Sequence, residues 1–210
     1  MRQNTHIRKE TDLQEAVEVS PVPLQTATEH DDRVADAKHQ RVHREDHQRL
    51  RPSPDQDGLT ICAGGASMTE TIAAIQTESF SAEGGERWRT RDIEQILQMP
   101  TTSVLVASQG FEPLGFSMMR WAADEAEVLL LAVRPRFQKT GVGTALIRAS
   151  VAHVLTQSVK RICLEVRANN KSAHALYTKH GFRQIGRRPN YYRLANGEAI
   201  DATTMAKTIG

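Results

Sequence analysis

The segment QKTGVGTALI (138–147) sets Gly141 and Gly143 two apart, after an apolar, strand-like run and at the start of a helix-like one. Glycine weakens a helix by up to about 1 kcal/mol relative to alanine, and the usual compensation is close approach of something to the bare backbone. A helix N-terminus also carries unpaired N–H groups and partial positive charge. Together these point to an anion, most often a phosphate. No Lys-Ser/Thr pair follows Gly143, which disfavours a nucleoside triphosphate loop. Two other residues could carry chemistry. Glu165 interrupts the apolar alternation of KRICLEVR (160–167). It reads either as a partly desolvated base taking a proton from a substrate ammonium or as a charge paired with Arg161 or Arg167. Tyr177, on a helix and just ahead of KHGF, reads either as a proton donor or as an amphipathic tyrosine at a helix edge.

These residues need a frame, and the periodicity supplies one. TETIAAIQTESF (69–80) reads as a helix through Ile72, Ile75 and Phe80, and residues 91–99 as a second, with Ile93, Ile96 and Leu97 on one face before Pro100. SVLVAS (103–108) and PLGFSMMRW (113–121) are strands split by a turn. EAEVLLLAVR (125–134) is a long strand whose apolar second half suits the centre of a sheet. Residues 143–157 form a helix with Leu146, Ile147, Val151, Val154 and Leu155 on its buried side. In KRICLEVR, Ile162, Leu164 and Val166 face one way, Cys163 and Glu165 the other. Residues 170–180 form a helix with Asn170 as N-cap and Gly181 as C-cap. FRQIGRRPNYYRL (182–194) and AIDATTMAKTI (199–209) are strands joined across Asn196-Gly197, a hairpin signal. Tyr191 and Tyr192, adjacent on a strand, point to opposite faces, so at most one lines a groove. The sum is an α/β domain with a mixed sheet.

The composition is uneven. All ten aromatic residues lie at Phe80 or beyond, while residues 1–67 hold five of the eight histidines, 9 Lys+Arg and 12 Asp+Glu, a net of −3. The remainder carries +5, giving +2 for the 210-residue chain. A segment this poor in large apolar side chains cannot offset its ordering entropy, so residues 1–60 are expected to be a largely disordered extension and 68–208 the compact domain. His39, His43 and His47 recur at helical spacing, but no cysteine or second ligand pair supports a metal site, and a solvated polar face is the favoured reading. Cys62 and Cys163 make no disulfide framework, which suits a reducing cytoplasm. No apolar run approaches the roughly 20 residues of a membrane span, and residues 1–30 lack a signal-peptide core. The basic excess is too diffuse for nucleic-acid readout.

Strand, then Gln138-x-x-Gly141-x-Gly143, then helix, resembles the acyl-CoA loop of the GNAT acetyltransferases. LEVRANNKSAHALYTKHGF (164–182) is similar to that family's second cofactor segment. NYYRLANGEAIDATTMA (190–206), DEAEVLLLAVRP (124–135) and Trp88 narrow the resemblance to the RimI-type N-terminal acetyltransferases, which modify a ribosomal protein. It covers about residues 69–207 and none of 1–60. It implies the GNAT fold: a mixed central sheet flanked by helices, with a C-terminal β-hairpin. It implies acetyl-CoA as co-substrate, no metal, and as partner a protein N-terminus, that of a small-subunit ribosomal protein beginning with alanine. Backbone N–H groups of Lys139, Thr140, Gly141, Val142, Gly143 and Thr144, headed by Gln138, would hold the pyrophosphate. By the same resemblance Glu165 is the proton acceptor, Tyr177 the donor to the departing thiolate, and Asn170 a cofactor contact. Leu131, Ala132 and Val133 would sit at a bulge whose backbone pairs with pantetheine and polarises the thioester carbonyl, although their side chains suit a plain core strand equally. Pro189 stands where many relatives carry another, often basic, residue. The same chemistry on a lysine or a small amine stays open, as does a non-catalytic acyl-CoA-binding module, against which Glu165 and Tyr177 speak.

Overall fold

The computed structural model describes residues 58–80 and 88–210. Nearly all of the expected extension, with His39, His43 and His47, lies outside them. Among the described residues seven strands form one sheet in the order β1-β2-β3-β4-β5-β7-β6. They are β1 (Leu59–Gly64), β2 (Thr102–Gln109), β3 (Glu112–Ala122), β4 (Glu125–Val133), β5 (Arg161–Arg167), β6 (Arg183–Arg193) and β7 (Ala199–Thr208). Only β4 and β5 are parallel neighbours, so they need a crossover, and α3 (Val142–Leu155) supplies it. Helices α1 (Thr69–Ser79) and α2 (Thr90–Leu97) cover one face through Ile72, Ile75 and Ile93. Helices α3 and α4 (Lys171–Lys179) cover the other through Leu146, Ile147, Val154, Ala173 and Tyr177. A buried hydrogen bond from Ser150 Oγ to Ser117 Oγ (2.9 Å) ties α3 to β3.

The sheet begins before the expected domain start at residue 68. β1 pairs with β2 from Leu59↔Gln109 to Gly64↔Val104, and Leu59 and Ile61 pack on the core. Six residues with two large aliphatics give a weak strand signal. A chain starting at Gly58 should therefore keep the melting temperature of the full chain, whereas one starting at Met68 should lose about 2 kcal/mol or more, given two partly buried aliphatic side chains and a newly bared β2 edge. Thermal denaturation of the two truncations checks this.

Two irregularities shape the centre of the sheet. The β3–β4 register slips between Met118↔Leu130 and Met119↔Val128, so Leu129 is an extra residue. Its effect is visible in the packing: Leu129 and Leu130 both join the α1/α2 cluster, while Val128 and Leu131 join the α3/α4 cluster. The bulge therefore lies at Leu129 and not at Leu131, Ala132 and Val133, whose pairing with Ser117, Phe116 and Gly115 is regular. β3 approaches closely there: a Cβ on Gly115 would lie 2.6 Å from the Ala132 carbonyl oxygen, which leaves room only for glycine. The second irregularity is a split. β4 and β5 pair over Glu125↔Arg161, Ala126↔Ile162 and Glu127↔Cys163 and then part, leaving Val128–Val133 and Leu164–Arg167 without each other.

The C-terminal hairpin turns at Gly197 (φ 87°), as the Asn-Gly pair leads one to expect. Its outer strand is bulged between Arg188↔Ala202 and Tyr192↔Ile200, where four steps on β6 match two on β7. Asn190 adopts positive φ (53°) in this bulge. Asp201 pins it, accepting from the Asn190 N–H (2.8 Å) and from Arg187 Nε (2.6 Å). The bulge upsets strand parity: Tyr191 and Tyr192, expected on opposite faces, meet edge to face with centroids 5.1 Å apart.

Candidate active site

The glycine loop is built to leave a helix end open. Gln138 is extended and its Nε2 donates to the Val133 carbonyl (3.0 Å), tying the loop to the end of β4. Lys139 takes positive φ (62°) and Gly141 follows at 99° as the N-cap of α3. Left-handed backbone at a lysine costs about 1–2 kcal/mol, a local strain that marks a site worth scrutiny. Among the described residues no side chain caps α3, and Ala145 N–H to the Gly141 carbonyl (3.0 Å) is the first helical bond. The N–H groups of Val142, Gly143 and Thr144 are thus left for an anion.

A cleft of about 220 Å³ opens beside this loop. It gathers Val133, Gln138, Lys139, Gly141, Gly143 and Thr144 from the expected set. Ser172, Leu176 and Lys179 of α4 join them, and their spacing of i, i+4, i+7 was the sequence signal for one shared helix face. Leu131 and Ala132 are fully buried in β4, Val142 is in the core, and Thr140 Oγ1 donates to the Phe137 carbonyl (2.7 Å). None of these four lines the cleft with its side chain, so any role they have is through backbone. Asn170 does cap α4, accepting from the Ala173 N–H at 2.9 Å, and is buried without lining the cleft.

A Cβ on Gly143 would sit 3.4 Å from Leu176 Cδ2 and 3.9 Å from Val133 Cγ2, both cleft walls. Gly143→Val should therefore fill the cleft while Ser150 and the α3 core still hold the helix. The expected outcome is acetyl-CoA binding weakened about tenfold or more with near wild-type circular dichroism. Titration calorimetry checks it, and unchanged affinity would remove the loop from the binding site.

Glu165 lies on the sheet face away from α3 and α4, as alternation along β5 requires. It is buried, with Oε2 lacking a hydrogen-bond partner among the described residues. Its ion-pair partner is neither Arg161, which pairs with Glu125 (3.1 Å), nor Arg167, whose guanidinium lies 4.9 Å from the Tyr192 ring centroid. It is Arg188, two strands away, through Nε to Oε1. The Tyr192 hydroxyl donates to the Glu165 backbone carbonyl (3.2 Å) and braces the strand. Burial, and next the neighbouring Glu165 carboxylate, push the Tyr191 phenol above its ordinary range. On the same face Glu127 pairs with Arg120 (2.9 Å), yet burial still raises its pKa. Arg188, Tyr191 and Glu127 were not singled out from the sequence as neighbours of Glu165, because cross-strand register places them there.

Tyr177 belongs to the opposite face. It is fully buried in the α3/α4 core, edge to face with Phe182 at 5.5 Å. Its hydroxyl has no partner among the described residues, and burial raises its pKa well above the ordinary phenol range, so it stays protonated. A buried hydroxyl without an acceptor costs about 1–3 kcal/mol. Tyr177 follows Leu176, which walls the cleft, and shares its core cluster with Val133.

A split parallel pair in a mixed sheet, with an uncapped glycine-rich helix start beside it, defines the class. The chain belongs to the acetyltransferase (GNAT) family, whose pattern matches residues 69–182. The similar proteins carry a more particular name. The [ribosomal protein bS18]-alanine N-acetyltransferase of Salmonella typhimurium is 39% identical over 94 residues, 45% of this chain and 63% of that protein. The Escherichia coli K12 protein of that name is 35% identical over 132 residues, 63% of this chain and 79% of that protein. The crystal structure of the ribosomal-protein-S18-alanine N-acetyltransferase from Escherichia coli superposes with a TM-score of 0.65 at 27% identity, covering 72% of this chain and 94% of that one. Among the described residues no helix is long and apolar enough to cross a membrane.

Proposed function

We propose that this protein transfers the acetyl group of acetyl-CoA to the N-terminal amine of a protein, with the N-terminal alanine of a small-subunit ribosomal protein as acceptor. The observation that carries the reading is the split between β4 and β5. It leaves the β5-facing edge of β4 free beside the open start of α3, with a buried carboxylate on one side and a buried phenol on the other. The substrate in the relatives' names narrows the acceptor. Two cysteines left unpaired suit a cytosolic enzyme.

In this reading the N–H groups of the 139–144 loop bind the pyrophosphate, and Gly143 lets it approach. The β5-facing edge of β4 over 128–133, unpaired where the two strands part, takes the pantetheine as an added strand and donates to the thioester oxygen. Glu165 accepts a proton from the acceptor ammonium, directly or through water. The freed amine attacks the thioester carbon, the C–S bond breaks, Tyr177 donates to the leaving thiolate, and the second proton shed by the new amide nitrogen passes to solvent. A phenol whose pKa lies above that of a thiol acts chiefly as a charge-assisted hydrogen-bond donor.

The test is mass spectrometry on purified protein with acetyl-CoA and two peptides. One begins with free alanine; the other has a blocked N-terminus and an internal lysine. Acetylation of the first alone supports the reading. Acetylation of the lysine, or of polyamines in a parallel assay, replaces the acceptor, and binding of acetyl-CoA without turnover replaces the enzyme by a binding module.

A further inference from the structure

We propose that Arg188 is a displaceable counter-cation: in the free enzyme it holds the place beside Glu165 that the acceptor's ammonium takes, and it swings out when the acceptor binds. The inference rests on the reading of Glu165 as the base for an amine acceptor. Glu165 is 4% exposed, whereas the Arg188 side chain is 54% exposed. The buried carboxylate is therefore met from the solvent side by a cation on a long, flexible stem. Other ion pairs nearby differ. Arg120 and Glu127 are both largely covered, at 30% and 22%, and Arg161 and Glu125 are both on the surface. Among the described residues, only the Arg188 pair joins a buried acid to a half-exposed base on this face.

The fold sets this pair deliberately in position. Asp201 engages Arg187 and the Asn190 N–H, so the β6 bulge is fixed while its other guanidinium, Arg188, reaches Glu165. The Tyr191 ring lies 5.5 Å from that guanidinium and offers it a platform. A carboxylate buried without a cation is strongly disfavoured, so Glu165 requires a partner when no acceptor is present. An arriving ammonium brings one positive charge and can replace the guanidinium without leaving Glu165 uncompensated. A neutral acceptor cannot. Arg188 is thus a positioning residue that selects protonated amines, acting through Glu165.

The experiment is steady-state kinetics at saturating acetyl-CoA with an alanine-initiated peptide, on full-length wild type, Arg188→Ala, Arg188→Gln and Arg188→Lys. If Arg188 competes with the acceptor, Arg188→Ala and Arg188→Gln should lower the peptide KM roughly two- to fivefold, the scale of a half-exposed ion pair, and raise kcat/KM to match. Arg188→Lys should restore the wild-type KM. Millimolar guanidinium should raise the KM of Arg188→Ala and leave that of wild type nearly unmoved. An unchanged or higher KM in both neutral variants overturns the proposal, as does a fall in kcat at constant KM, which would make Arg188 a fixed partner. No acetylation by wild type overturns the functional reading and the proposal with it, whereas wild-type activity with an unmoved KM overturns the proposal alone.

Discussion

Glu165→Gln should lower kcat on an alanine-initiated peptide by about 10²-fold or more near neutral pH, the usual scale for loss of a general base. The substitution keeps the side-chain shape in a buried site and leaves only the half-exposed Arg188 without its pair, so the fold should persist. The sign of the pH dependence follows from the acceptor. A peptide α-amine has a pKa of about 8. Below it the amine is an ammonium that must lose a proton to something, and above it the amine is already free. The deficit of the variant should therefore shrink as pH rises from 7 to 9. A pH–rate profile measures this. Wild-type rates for Glu165→Gln at pH 7 would make the Arg188–Glu165 pair structural and leave the base to ordered water or the hairpin.

Tyr177→Phe should move activity and stability in opposite directions. Removing a fully buried hydroxyl that has no acceptor among the described residues relieves an unmet desolvation cost, so the variant should be more stable by about 1 kcal/mol, several degrees in a domain of this size. On the proposed mechanism the same change removes the donor to the thiolate. Because a thiolate leaves tolerably well at neutral pH, the rate loss should be about 10- to 10²-fold, at the low end for a general acid. Raising the pH should not restore it, since deprotonating the acceptor does nothing for the leaving group. Calorimetric melting beside the pH–rate profile checks both halves. A destabilised variant would mean that the hydroxyl has a partner, and an unchanged rate would leave Tyr177 as core packing alone.

Much of this was legible in the chain, and the reasons differ by residue. Glycines before a helix announce an open N-terminus because their cost demands a cause. Glu165 stands out because strand alternation is local: Leu164 and Val166 fix its face. What alternation cannot supply is the neighbour across the sheet. Arg188 reaches Glu165 over β7, and that register depends on a bulge that Pro189 and a positive-φ Asn190 build into β6. The same bulge undid the parity argument for Tyr191 and Tyr192. The β4 bulge was hidden for a different reason: in a run of three leucines, a slip of one residue exchanges leucine for leucine and leaves no mark on the pattern. β1 was missed because a six-residue edge strand needs only two anchors, too few to rise above a polar background.

The parting of β4 from β5 has a consequence for the order of events. On the proposed function the thioester takes the cleft on the α3/α4 side and the acceptor meets the carboxylate on the other, so the sheet itself stands between the two reactants except at the gap. In that reading each enters from its own side of the sheet. Neither must leave before the other enters, and neither product obstructs the other's exit. Such an enzyme has no use for an acetylated intermediate that waits for a second visitor. Double-reciprocal plots at several fixed acetyl-CoA concentrations should intersect rather than run parallel, and a non-reactive CoA thioether should inhibit without competing against the peptide. In that reading the gap is a meeting point approached from two sides, and turnover there is a single encounter of three bodies rather than a relay.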